Sequence, residues 1–229
     1  MQSIREYSVL IDSKDRNYQI YPDPFKYTVT IDPSPTTKSN GSGRKTIMED
    51  PNPVIMESFR NVKYIKLEKI ILPKFNRIYY NTLMEKHQVL VEKPLTDNNY
   101  LVMNIGSNFS DENSRSTNDI LSRSFSTIYY DQDINLTHYS GDISNGYRVF
   151  DPQPLSRIDK FDINFTDPYG KPLICDHMDS NILSGMECFC SNPEGDEFTE
   201  CFKHNLFHPL NPLFQHHIHL KIGVVEVHF

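Results

Sequence analysis

Val62-Lys-Tyr-Ile-Lys-Leu-Glu-Lys-Ile-Ile-Leu72 is the stretch that decides the fold. In an extended chain Ile65, Leu67 and Ile71 fall on one side. Val62, Tyr64, Ile70 and Leu72 share the other side with Lys66 and Glu68. A helix face repeats every 3.6 residues and cannot keep a two-residue rhythm, so 62–72 reads as a strand. The same rhythm recurs at 158–166, where Phe161, Ile163 and Phe165 oppose Asp162, Asn164 and Thr166. It returns at 218–229, with Ile218, Leu220 and Ile222 on one face and His217, His219 and Lys221 on the other; Gly223 then marks a bulge or bend.

Outward from these, shorter strand signals lie at 7–12, 26–31, 88–92, 100–105, 124–130 and 147–150, about nine strands in all. The only helical expectations are short pieces at 118–124 and 82–86. Short strands broken by Pro, Gly, Asn and Asp, without βαβ alternation, predict an all-β sandwich or barrel. Three long connections interrupt it, at about 32–61, 106–123 and 168–215. Loops of that length in a compact domain usually have a task, here contact with other subunits. No repeat divides the chain, so 1–229 reads as a single domain with extended loops.

Composition narrows the function classes. The formal charge is 23 − 30 = −7 and no basic run occurs, which argues against phosphate-backbone recognition and against docking on anionic lipid. Only 38% of residues are hydrophobic, yet there are 14 Phe, 13 Tyr and 15 Pro, a balance that suits short strands and long polar connections. Neither a secretory signal nor an apolar run of spanning length is found, so direct membrane insertion is not expected. Cys175, Cys188, Cys190 and Cys201 are then expected to begin as thiols.

Cys188-x-Cys190 followed by Cys201-x-x-His204 forms the candidate metal site, because three thiolates and an imidazole make a tetrahedral zinc set. His177 and His208 compete as ligands, and ordinary thiols that oxidise only after particle release are the competing account. The tract His216-His217-Ile218-His219 could chelate through His217 and His219, but solvated or interface histidines suit it better. Asp12-Ser-Lys-Asp15-Arg-Asn17 lacks the glycine and glutamate of a calcium loop and reads as an Asx turn, with Arg16 paired to Asp12 or Asp15. No nucleophile elbow, phosphate loop, dinucleotide fingerprint or zinc-protease motif is present, so neither catalytic residues nor a bound organic cofactor are expected.

Three ordered blocks resemble a known family. Ile11-Asp-Ser-Lys-Asp-Arg-Asn17 with Tyr21-Pro-Asp-Pro24 and Tyr27-Thr-Val29 is similar to the opening of jelly-roll minor capsid proteins from nucleocytoplasmic large DNA viruses. Phe59-Arg-Asn-Val62, leading to Ile71-Leu-Pro73, resembles the second block of that family. Pro154-Leu-Ser-Arg-Ile158 through Phe165-Thr-Asp-Pro-Tyr-Gly170 resembles a later strand and turn. The blocks cover roughly a third of the chain, and the stretch 175–201 has no counterpart in the family. The resemblance implies a jelly-roll shell component, assembled in host cytoplasm and carried in the virion. Its partners would be the major capsid protein and other minor capsid proteins, contacted under or between capsomers. Exposed aromatics such as Tyr79, Tyr80 and Tyr139 would suit such interfaces, or equally a core. A carbohydrate- or receptor-binding β-sandwich and a zinc-stabilised interaction module are the alternatives.

Overall fold

A computed structural model describes residues 2–32, 36–39, 45–48, 52–79, 91–106, 109, 115–133, 138–173 and 214–227. Its strands in chain order are β1 (Gln2–Asp12), β2 (Lys26–Ile31), β3 (Thr36–Ser39), β4 (Lys45–Met48), β5 (Val54–Ile55), β6 (Arg60–Pro73), β7 (Phe75–Tyr79) and β8 (Val91–Pro94). There follow β9 (Leu101–Asn104), β10 (Ser126–Asp133), β11 (His138–Ser144), β12 (Tyr147–Val149), β13 (Leu155–Arg157), β14 (Lys160–Thr166) and β15 (His217–Val227). One short α-helix, α1 (Asp119–Ser122), sits inside the expected span 118–124, capped by the Asn118 side chain accepting from the Ile120 N–H.

The fold is all-β, and its pairing is that of a jelly roll. Take β1, β2, β6, β9, β10, β11, β14 and β15 in chain order. The first pairs with the last, the second with the seventh, the third with the sixth and the fourth with the fifth, all antiparallel. A long hairpin rolled up on itself gives this nesting. The full order is β1-β15-β6-β11-β10-β9-β14-β2-β5, with β5 added parallel to β2. The sheet curls until its distant strands meet. Tyr27 on β2 stands six strands from β15 along this order, yet its hydroxyl shares a 3.1 Å hydrogen bond with Nε2 of His216, the residue before β15.

Inside the curl lies one core. Phe25, Tyr27, Phe59, Phe125, Phe161, Phe165 and Phe214 are fully buried with Ile65, Ile70, Leu72 and Leu95. Edge-to-face pairs such as Phe25–Phe165, with ring centroids 5.9 Å apart, fill it. On β14 and β15 the inward sets are those expected: Phe161, Ile163 and Phe165, then Ile218, Leu220 and Ile222.

On β6 the expected faces need correction. Val62, Ile65, Leu67, Ile70 and Leu72 are buried together, whereas Ile71 is only half-buried on the opposite face. Against β15 the register slips at two places, leaving Lys63 and Glu68 as the extra residues of β-bulges. Each bulge switches the parity of the strand, so one buried face draws on both odd and even positions. Gly223 stands at one of these slips, under the Tyr64 ring, where a Cβ would come within 2.3 Å of Cε1.

Connections expected to be irregular carry structure of their own. Within 32–61, β3 pairs with β4 and β5 extends the main sheet. Tyr139 belongs to β11 rather than to a loop and is half-buried beside Tyr130. Asp167-Pro-Tyr-Gly170 is the expected tight turn: Gly170 has φ +80, and Asp167 accepts from the backbone N–H of Tyr169 and Lys171. Residues 82–86, 88–90 and Tyr80 lie outside the described residues.

Candidate interaction surface

Of the residues singled out in the sequence, the metal set Cys188, Cys190, Cys201 and His204 lies outside the described residues, as do Cys175, His177 and His208. Among the described residues no group of three His, Cys, Asp or Glu side chains converges as metal ligands.

The Asp12–Asn17 segment forms the expected turn, with the Asp12 carboxylate accepting from the Lys14 N–H at 3.1 Å and pairing with the Lys14 ammonium at 3.2 Å. Arg16 has a different occupation from the one expected. It is buried, and its guanidinium donates to the carbonyls of Ser13 (2.6 Å), Tyr21 (2.9 Å) and Pro22 (3.0 Å) and to Oε1 of Gln215 (2.7 Å). Ser13 completes the knot. Its hydroxyl donates to the same Gln215 oxygen and accepts from the His216 N–H, both at 2.9 Å. The turn after β1 is thereby tied to the entry of β15 and, through His216 and Tyr27, to β2.

His216 is correspondingly no solvated histidine. Its ring packs on Phe25 and Phe165, the latter with centroids 4.9 Å away. Burial, reinforced by Arg16 and His217, pushes its pKa down to about 3. Burial also raises the Tyr27 hydroxyl far above its ordinary value. A neutral imidazole and an un-ionised phenol sharing one hydrogen bond inside a core form a lock rather than a reactive pair. His217 and His219 share one face of β15, as expected, and are half-buried.

Among the described residues, charged and aromatic side chains gather most densely on the solvent face of β1, β15, β6 and β12. Tyr64 donates to the Glu6 carboxylate, and Lys221 lies 3.4 Å from the other Glu6 oxygen. The Tyr64 bond, then the Lys221 charge, holds the Glu6 carboxyl below its usual range, while Tyr64 is pushed up to about 12 by its partial burial and by Glu6. Lys66 and Glu68 pair at 2.7 Å along β6, which lowers the Glu68 carboxyl and raises the Lys66 ammonium. The Tyr64 and Tyr147 rings stand 5.5 Å apart, and Tyr147 is 45% exposed. Beside them lies an open depression of about 520 Å³ lined by Lys66, Glu68, Ser140, Asn145 and Tyr147. At the margin of this face Ile4 and Leu10 of β1 are 53% and 61% exposed. The sequence signal for that margin was the run Val9-Leu10-Ile11, apolar at consecutive positions and therefore on both faces of the strand. No spacing pointed to Glu6 with Tyr64, because their pairing depends on β15 lying between their strands.

Among the described residues, fold and surface together define a jelly-roll protein whose charged and aromatic side chains gather on one broad face. No family model matches the chain. Over 230 aligned residues it is 51% identical to the uncharacterized protein L352 of Acanthamoeba polyphaga mimivirus, covering 98% of this chain and 78% of that protein. The chain belongs to the family of that protein, a family of large DNA viruses.

Proposed function

We propose that this chain is a non-enzymatic minor capsid protein that packs under or between major capsid capsomers and stabilises the icosahedral shell. The observation that carries the reading is the nested jelly-roll pairing in a chain whose relative is a mimivirus protein. A rolled sheet of this kind is a rigid block, and its turns and solvent faces remain free for neighbours. Exposed Tyr129, Tyr147 and Tyr169 supply rings of the sort that anchor interfaces. In a lattice each contact can be modest, because many act together. The partners are then the major capsid protein and other minor capsid proteins, with assembly in host cytoplasm and residence in the virion. Quantitative mass spectrometry of gradient-purified particles tests this. A copy number in fixed, repeated ratio to the major capsid protein is expected, and absence from purified particles sinks the reading. Density for the chain in a particle map then identifies its neighbours.

A second reading, a carbohydrate-binding face, draws on the exposed Tyr147 ring beside Glu68, Ser140 and Asn145. Sugar rings stack on such aromatics while carboxylates and amides take their hydroxyls. A glycan array that gives hits abolished by Tyr147→Ala favours it, and an array without hits removes it.

A further inference from the structure

Strand β1 is eleven residues long and stands at the end of the sheet, hydrogen-bonded to β15 on one side. In an antiparallel ladder, alternate residues turn both backbone groups to the same neighbour. One step beyond the last paired residues, Asp12 and His217, the Ser13 N–H donates to the His216 carbonyl at 3.0 Å. Ser13 therefore faces β15. Counting back along the unbroken register, so do Ile11, Val9, Tyr7 and Arg5. Leu10, Ser8, Glu6 and Ile4 direct their N–H and C=O groups to the other side, where no strand among the described residues pairs with β1. The side chains of Ile4 and Leu10 are 53% and 61% exposed on the solvent face.

We propose that a second copy of this chain adds its own β1 to this edge, antiparallel, about a two-fold axis through Tyr7. The residues choose both the occupant and the register. With the axis at Tyr7, Ile4 lies directly opposite Leu10 of the partner, twice by symmetry, and Glu6 lies opposite Ser8. An axis at Glu6 sets two carboxylates face to face, which opposes pairing. An axis at Ser8 puts Leu10 against Glu6 and Ile4 against Asp12. All three registers join outward-facing backbone groups, but only the one at Tyr7 sets the two exposed aliphatic side chains opposite each other and avoids like charges. Four paired positions with two bonds each make about eight backbone hydrogen bonds, along a seam of about 20 Å between Ile4 and Leu10. The contact is isologous, so it closes at two copies. It does not depend on the capsid reading, since it follows from β1 alone.

The experiment uses the full chain. Sedimentation velocity across about 1–100 μM is expected to give twice the 26.7 kDa chain mass at the upper end. The double variant Ile4→Cys with Leu10→Cys, oxidised and digested, is expected to give by peptide mapping a disulfide that joins the two introduced thiols. In one extended strand those two positions are about 20 Å apart, so that link can form only between copies. Ser8→Pro removes an outward N–H and spares the ladder to β15, and is expected to weaken the dimer at least tenfold. Leu10→Lys, at an exposed position, is the companion variant should Ser8→Pro disturb folding. A chain that stays monomeric at 100 μM overturns the proposal. So does a dimer indifferent to both variants, or one in which the introduced thiols yield no cross-link between copies.

Discussion

Acid should loosen this protein well before its carboxylates protonate, and His216 is the reason. In the unfolded chain an imidazole takes up a proton near pH 6.5; in the fold, burial beside Arg16 delays that until about pH 3. The contribution to stability is therefore complete above pH 6.5 and is lost as the pH falls toward 3. Between those limits the unfolded state holds one more proton than the native state, a slope of about 1.4 kcal/mol per pH unit. From pH 6.5 to 5 the loss is about 2 kcal/mol, a sizeable part of the ~5–15 kcal/mol that holds a typical domain together. Glu6 and Glu68, whose carboxyls are held below their usual range, add their own losses only below about pH 4.5, so the upper window isolates the imidazole. Urea unfolding at pH 7, 6 and 5 is the assay, with His216→Gln as the reference. Its amide retains a partner for the Tyr27 hydroxyl and does not titrate. The wild-type chain should lose about 2 kcal/mol more than the variant over this range. Parallel curves would refute the reasoning, as would a His216 ring resonance that titrates near pH 6.

Other perturbations test the same architecture. Arg16→Ala removes a buried cation from three carbonyls and Gln215 and should cost about 3–5 kcal/mol, or about 6–20 °C in Tm by calorimetry. Lys14→Ala, at an exposed ion pair in the same turn, should leave the denaturant midpoint essentially unchanged. Gly141→Val should cost about 3 kcal/mol or more in denaturant unfolding, because even a Cβ there would sit 2.6 Å from Cγ2 of both Ile128 and Ile70. Phe165→Ala should cost about 3–5 kcal/mol by the same measurement through the cavity left between Phe25 and His216. For Cys188, Cys190, Cys201 and His204, plasma emission analysis of the purified chain is expected to find less than about half an equivalent of zinc; a full equivalent, lost in Cys190→Ser, makes them a closed structural site.

What the sequence made legible was the local state of the chain. Strands with two-residue alternation, such as β14 and β15, were readable with their buried faces, because each side chain's fate there depends only on its parity. β6 was readable as a strand but not in its faces, since a bulge is set by the neighbour's register and leaves no mark in a single strand. β11 escaped notice: Ser140, Gly141 and Asp142 look like a turn, and Gly141 is needed only because isoleucines crowd it from β10 and β6. The polar knot was illegible for a related reason. Arg16 precedes Gln215 by 199 residues, and nothing near either one indicates that the other caps it. Carboxylates close by in sequence looked like the natural partners, but backbone carbonyls of a curled turn met the guanidinium first. The surface band of Glu6, Tyr64 and Tyr147 likewise exists only once β1, β15, β6 and β12 are brought side by side.

The pairing of Gln2 with Val227 has a consequence for how the protein comes into being. A ribosome releases β1 long before β15, its neighbour in the main sheet among the described residues. Until β15 emerges that strand, with its Val-Leu-Ile run, lacks this partner, and the knot at Arg16 stays untied until Gln215 has emerged. Long-range closure of this kind slows folding and exposes sticky intermediates to their surroundings. Nascent chains on a crowded polysome would therefore meet one another through β1 before β15 is made.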